Sequence, residues 1–456
     1  MPVSTARKIA FEALIRVEAE GAYASDVLYE ELGANVKPSD AALATELTLG
    51  VLRWRRLLDF LIARQLKKSL ARLDLPVALA LRMGLYQFRF LERIPARAAV
   101  NESVELVKYA KKSSAAALVN AVLRRLADEP RQPADELVPA SLTPAERLGI
   151  LHSHPTWMVE RWLSRFGETR TIRLLAANNR APRLSCVVHE GDRQQEISRA
   201  LEKDGLHIEP GRLLRSAFAV SGGSPVRTES FSKGWISIQD EASQAIPLLL
   251  DVHAGDHVLD LCAAPGGKTA SLVRAAGENG LVVAADRHTH RVRAMCDQFA
   301  RLGLRNVRLV ELDATQALPF GEKFQRILVD APCSGTGTLA RHPEIRWRLE
   351  LRQLAELHRL QVAMLTSAAG QLAPGGRLVY STCSMEPEEN EEVIAEVLGE
   401  ARSVRRLTAD EAVRPLGEHI VPEVDAKSLF DVSGYFHTSP GELPVDGFFA
   451  AVMEKD

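Results

Sequence analysis

The chain has 456 residues, a length for about two to four domains, and its 46% hydrophobic and 25% charged side chains are ordinary for a globular protein in water. No apolar run approaches the ~18 residues a membrane span needs, and the opening MPVSTARKIAFEAL breaks its apolar residues with charge, which excludes a signal-peptide core and favours a cytoplasmic location without a membrane partner. The net charge of −2 is unevenly spread: residues 1–130 carry 20 Lys+Arg against 15 Asp+Glu, and the remainder 37 against 44, a basic front end compatible with nucleic acid.

Residues 1–130 read as helix throughout. Ala10, Ala13, Leu14 and Val17 repeat at i, i+3, i+4 and i+7, as do Val119, Val122, Leu123 and Leu126. Such stripes face a core, and with no strand signal an all-α bundle is predicted over 1–130. DEPRQPADELVP (128–139) holds three prolines and five charged side chains and reads as a linker. Helix returns over 142–180, with Thr143 and Pro144 as a cap and first-turn pair. RLSCVVHE (183–190) and SAFAVSG (216–222) then read as strands around a helical RQQEISRALEKDG (193–205). A small α+β module over 140–235 follows from this pattern.

The stretch 236–456 alternates short apolar runs with helices. DHVLDL (256–261), GLVVAAD (280–286), VRLVELD (307–313), FQRILVD (324–330) and GRLVYST (376–382) are the strand candidates. Strand–helix alternation predicts an α/β domain with a parallel sheet covered on both faces.

DLCAAPGGKTASL (260–272) sits where such a sheet places a ligand. Its Gly267-Lys268-Thr269 imitates a phosphate-binding loop, but the first glycine that motif needs falls at Cys262. A dinucleotide GxGxxG is absent as well. The loop still follows a buried strand and opens a helix, with Pro265 stiffening the turn and Gly266 and Gly267 allowing close backbone approach. Free N–H groups at a helix start suit a carboxylate as well as a phosphate, and the methionine carboxylate of S-adenosylmethionine is such a group. Asp286, 20 residues after Gly266, is placed to bond ribose hydroxyls, Asp313 to read an adenine amine, and Asp260 and Asp330 end two further strands. The bland alternative is that these aspartates cap helices or turns.

Five cysteines, Cys186, Cys262, Cys296, Cys333 and Cys383, are too few and odd in number for a disulfide framework, and no Cys/His spacing points to a metal. Cys333 and Cys383 fall in polar loops at the ligand edge. A methyl transfer that needs a thiol is one to carbon 5 of cytosine, a poor nucleophile until a thiolate adds to carbon 6. A group near N3 must then neutralise developing charge, and Asp330 would do so if protonated.

Taken together, DLCAAPGGKT, VDAPCSGTGTLARHPEIRW, YSTCS and DGFFAA, with QDEASQ (239–244) ahead of them, resemble the motifs of RNA cytosine-5 methyltransferases. The front end, with LTLGVLRWRRLLDFLI and AVNESVELVKYA, resembles the helical domain of the antitermination factor NusB. The combination is similar to the bacterial 16S ribosomal RNA cytosine-5 methyltransferase B (Sun/Fmu) family over nearly the whole chain. The resemblance implies a NusB-like bundle, a linker module and a Rossmann-like S-adenosylmethionine-dependent methyltransferase domain, acting on 16S ribosomal RNA; the expected substrate form is free or early-assembly RNA and the expected state a monomer, neither of which follows from the motifs. It further implies that Cys383 attacks the base and Cys333 assists product release; the residues alone leave that division open. Cofactor contacts map to Cys262, Ala263, Ala264, Pro265, Gly266, Gly267, Lys268, Asp286, Asp313 and Asp330, while Cys186 and Cys296 match no motif and read as structural. The segment GYFHTSPGELPVDGFF is longer and differently arranged than in that family. Arg53, Arg55, Arg56, Arg124, Arg125, Arg341, His342 and Arg346 are candidate RNA contacts, each against the alternative of a solvated helix face. A binding protein with a vestigial catalytic domain and an enzyme acting on transfer RNA are the rival readings.

Overall fold

The computed structural model describes residues 3–33, 35–67, 69–130, 132–189, 193–401 and 403–456. It divides into two compact units. One comprises residues 1–180 together with 339–348, the other 181–338 and 349–456.

The first unit is helical. Helices Thr5–Glu20, Ala24–Glu31, Pro38–Ala63, Leu75–Phe90, Ala96–Tyr109 and Ala116–Asp128 surround one apolar core. The stripe Ala10, Ala13, Leu14 and Val17 is buried, as is Val119, Val122, Leu123 and Leu126. Helices Pro144–Leu151 and Thr156–Ala177 belong to this unit, although the sequence reading groups them with the middle module. Arg56 ties them in, donating to the His154 carbonyl at 2.5 Å and to Thr156 Oγ1 at 2.8 Å. Thr143 and Glu146 close a capping box around Pro144, as the sequence signal requires. The presumed linker is more ordered than its prolines suggest: it carries a short helix, Ala134–Leu137, and buries Val138, with Arg131 outside the described residues.

The segment 339–348 is the unusual part of this unit. Arg346 is fully buried and donates to the carbonyls of Ser153 (3.1 Å), Asn178 (3.0 Å) and Leu339 (3.2 Å) and to Asn179 Oδ1 (2.8 Å). Trp347 Nε1 donates to the Leu52 carbonyl and Arg348 to those of Gly21, Val17 and Ala22. A guanidinium that saturates several carbonyls can be buried without an ionic partner.

The second unit holds two sheets. The smaller one contains β1 (Leu184–Val188), β2 (His207–Pro210), β3 (Ala217–Ser221) and β4 (Ile236–Ile238), in the order β2-β3-β1-β4, all antiparallel. Helix Gln194–Lys203 packs Ile197 and Leu201 against Cys186 and Phe218. Burial pushes the Cys186 thiol up to about 12, as suits a packing residue. β2 and β4 are too short to signal themselves in sequence.

The larger sheet contains β5 (His257–Leu261), β6 (Leu281–Asp286), β7 (Val307–Glu311), β8 (Phe324–Asp330), β9 (Leu372–Thr382), β10 (Val404–Arg406), β11 (Phe436–Thr438) and β12 (Phe448–Lys455). The order is β10-β12-β9-β8-β5-β6-β7, with β11 paired to β12. β5 through β9 are the five predicted strands and pair in parallel. The sheet is nevertheless mixed, because β12 runs antiparallel to β9. Its FFAAV run is buried on both faces and hides the alternation that marks an edge-side strand. Strand order reverses between β5 and β8, which opens a crevice at their carboxyl ends. Among the described residues no helix is long and apolar enough to cross a membrane.

Candidate active site

The loop after β5 turns sharply into helix Gly267–Ala276. Cys262 takes a left-handed φ of 62°, and Gly266 a φ of 99°. A Cβ on Gly266 would meet the Phe299 ring at 2.6 Å, so only glycine fits there without displacement. Strained backbone of the Cys262 kind gathers at ligand sites. A cavity of about 250 Å³ opens over this loop. Of the sequence-derived residues, Asp260, Cys262, Ala263, Ala264, Pro265, Gly267, Lys268 and Asp330 line it.

Charge in the crevice is arranged around Lys268. Its ammonium lies 2.6 Å from Asp330 Oδ2, and Asp330 Oδ1 accepts from Ser381 Oγ at 2.7 Å. Burial alone would lower the Lys268 pKa, but the Asp330 carboxylate outweighs it and holds the ammonium above its ordinary value. Asp260 is 1% exposed and accepts from Thr269 Oγ1 at 2.6 Å. Its other oxygen has no partner, and burial pushes the carboxyl up to about 7.

Asp286 is buried at the end of β6, where Oδ1 accepts from the His288 amide at 2.9 Å. Asp313 is exposed, two residues beyond β7. Its carboxylate accepts from the Thr315 amide and hydroxyl, which hold it below the usual range. That is the turn-capping arrangement, the bland alternative for this aspartate. Neither residue borders the cavity.

The two loop cysteines converge. Cys333 Sγ lies 3.3 Å from Cys383 Sγ, and both residues are half-buried. The sulfur of Cys383 and burial together push the Cys333 thiol well up. β8 and β9 bring the loops together through the Asp330–Ser381 register, and the Gly337 amide bonds the Cys383 carbonyl at 2.9 Å. Cys262, by contrast, faces the Met364 sulfur at 3.7 Å and is pushed up by burial. Cys296 is exposed on helix Thr289–Arg301, so it packs no core.

The QDEASQ segment reaches the cavity, a contact its letters do not signal. Gln239 and Ser243 line the cavity, and Gln239 Oε1 is buried without a partner. Arg301 and Gln298, on the helix after β6, complete the wall and carry no sequence signal. An unpartnered buried amide oxygen and an unpartnered carboxylate oxygen beside an ammonium match the amino and carboxylate ends of a free amino acid. The donor set therefore fits the methionine part of S-adenosylmethionine.

The candidate RNA contacts divide sharply. Arg53 is buried and donates to the Ala340 carbonyl at 2.8 Å, and Arg346 is buried as described, so neither can touch a nucleic acid. Arg55 is half-buried near Glu18 and over the Trp347 ring, and Arg56 is spent on His154 and Thr156. His342 is half-buried against Tyr23 and Glu344, with Arg341 half-buried beside it. Arg124 and Arg125 are exposed. Charge in a sequence does not distinguish a guanidinium that serves carbonyls from one that faces solvent.

Comparison with known proteins agrees with this arrangement. The family model for 16S rRNA methyltransferase RsmB/F matches residues 247–454, that of the NusB family 4–128, and that of the RsmF/B-like ferredoxin-like domain 154–227. A probable ribosomal RNA small subunit methyltransferase B of Bacillus subtilis is 33% identical over 100% of both chains. The ribosomal RNA small subunit methyltransferase B of Salmonella paratyphi B is 33% identical over 98% of each. Among solved structures, a methyltransferase homolog protein from Pyrococcus horikoshii is 28% identical, with a TM-score of 0.58 over 69% of this chain and 100% of its own. With end-to-end identity to such relatives, and a helical front end joined to a methyltransferase sheet, the chain belongs to the ribosomal RNA small subunit methyltransferase B family.

Proposed function

We propose that the protein transfers a methyl group from S-adenosylmethionine to carbon 5 of a cytidine in 16S ribosomal RNA, through a covalent bond between Cys383 and carbon 6. The observation that carries this reading is the approach of two thiols to 3.3 Å at the carboxyl edge of the sheet, next to the Lys268–Asp330 pair. A nitrogen acceptor would need neither thiol. The family membership supports ribosomal RNA as the substrate class.

The cofactor supplies an electrophilic methyl on a sulfonium. Cys262 to Lys268 would hold its amino-acid end, with Asp286 on the ribose and Asp313 toward the adenine. Cys383 gives up its proton to solvent and its thiolate adds to carbon 6, the carbon 5–carbon 6 double-bond pair shifting toward N3 so that carbon 5 becomes nucleophilic. Asp330 faces N3, and Lys268 Nζ, 2.6 Å from it, is the adjacent acid that can furnish a proton there. After methylation a base takes the proton from carbon 5 and the Cys383–carbon 6 bond breaks, returning the electron pair to sulfur. Cys333 acts in that release. Of the candidate RNA contacts, Arg124 and Arg125 are the exposed ones, available to RNA phosphates.

The test uses purified protein, methyl-labelled cofactor and unmodified small-subunit RNA. Cys383→Ala should abolish label transfer, and Cys333→Ala should accumulate a denaturant-resistant protein–RNA adduct. Near-normal transfer by Cys383→Ala with a dead Cys333→Ala would reverse the roles; RNA binding without any transfer by the wild type would favour the binding-protein reading. Bisulfite sequencing of RNA from a deletion strain would locate the cytidine.

A further inference from the structure

Both thiols are followed by a serine, and both serines bond one buried carboxylate. Glu389 is 0% exposed. Its Oε2 accepts from Ser334 Oγ at 2.5 Å and from Ser384 Oγ at 2.5 Å. Its Oε1 accepts from the Ser334 amide at 2.8 Å and from Gln361 Nε2 at 3.1 Å. The two serines also touch each other at 3.1 Å. The chain around Glu389 is fixed in turn: its carbonyl accepts from Tyr380 OH at 2.7 Å, and Asn390 Nδ2 bonds the Ser384 carbonyl at 2.9 Å.

Burying a carboxylate costs several kcal/mol, and apolar side chains of similar volume often stabilise a fold as well or better. The return on this one is geometric. Ser334 is adjacent to Cys333 and Ser384 to Cys383, so the carboxylate bridges the β8 and β9 loops one residue beyond each sulfur. Beyond the strand ends at Asp330 and Thr382 the Ala331 and Gly337 amides still bond the Ser381 and Cys383 carbonyls at 2.9 Å, and Glu389 adds the side-chain bridge at the residues next to the sulfurs. We infer that Glu389 is a positioning residue that holds the two thiols in register, so that attack by one and release by the other occur on the same bound base. This rests on the proposed thiol chemistry. Glu389 itself touches neither sulfur and does not border the cofactor cavity.

The experiment reads the geometry separately from the activity. Excess diamide adds to one thiolate and the other sulfur then displaces the adduct, the reagent leaving as a hydrazine with both hydrogens; the rate of that displacement, read from decay of the adduct mass, reports how readily the sulfurs meet. In Glu389→Gln this Cys333–Cys383 coupling, which leaves the chain short of both free thiols and of two hydrogen masses, should slow by about tenfold or more, as displacements near 1 Å do to proximity-driven steps. Single-turnover methylation should fall by a similar factor with little change in KM, and the RNA adduct should persist longer. The doubly substituted Ser334→Ala, Ser384→Ala chain removes the bridge but keeps the carboxylate, and should behave alike if Glu389→Gln does not fold. Coupling at the wild-type rate in a folded variant of either kind overturns the inference. Failure of the wild type to methylate RNA or form an adduct sinks the proposed reaction instead, and is seen before any variant is made.

Discussion

Replacing Asp260 by Asn isolates one consequence of building the crevice from buried acid. The Asp260 carboxyl titrates at about 7 in the fold against an ordinary 3.8, chiefly through burial, with the Thr269 hydroxyl pulling the other way and Asp330 adding to the rise. A native-state value above the unfolded one means that the folded chain binds the extra proton between the two. Its stabilising share is therefore whole below about pH 4, declines between about pH 4 and pH 7, and is gone above. Over that window the wild type loses about 4 kcal/mol, at about 1.36 kcal/mol per pH unit. Asn keeps the shape, can still pair with Thr269 and has no proton to lose. The difference in unfolding free energy, variant minus wild type, should thus climb by about 2 to 4 kcal/mol from pH 4.5 to pH 8.5. Urea titrations followed by circular dichroism at a series of pH values measure it, and titrating groups that do not interact with Asp260 cancel in the difference. A difference that stays flat across the range would refute the argument from burial.

Asp286→Ala removes a charged acceptor at the end of β6 and should weaken S-adenosylmethionine binding by about 10- to 100-fold, the range for a hydrogen bond to a charged group, read by calorimetry. Arg346→Met strips donors from five oxygens in the helical unit; it should cost about 3 kcal/mol or more and appear as a lowered melting temperature with faster proteolysis near 339–348. Arg124→Glu with Arg125→Glu should weaken RNA binding and flatten its salt dependence by about one to two log units per log of salt, with cofactor affinity unchanged.

Much of the catalytic sheet is legible in the sequence because each parallel strand holds a short apolar run, with β6 and β8 ending on Asp286 and Asp330, and Gly266 and Gly267 sit at a turn that needs them. The helical stripes are legible for the same reason: a 3.6-residue period survives in letters. What escapes is whatever depends on partners distant in the chain. Arg53 and Arg346 look like phosphate contacts until their carbonyl acceptors appear, hundreds of residues away. Glu389 sits in an acidic EPEENEE run with nothing in its letters to mark burial, yet Ser334, 55 residues back, makes it a buried bridge. β12 has no alternation because both its faces are covered. Asp313 is the converse case, a strand-end carboxylate whose observed partners are local.

The peptide 339–348 also sets a timetable for biosynthesis. Residues 1–180 leave the ribosome first, but the arginine and tryptophan that complete their interior are made about 160 residues later. At ordinary elongation rates that is a wait of about 10 to 30 s, during which the nascent helices present unanswered carbonyls around Ser153 and Asn178. The apolar core of the bundle, drawn from residues before 151, needs nothing from that later peptide, so what waits for residues 339–348 is the satisfaction of these buried carbonyls.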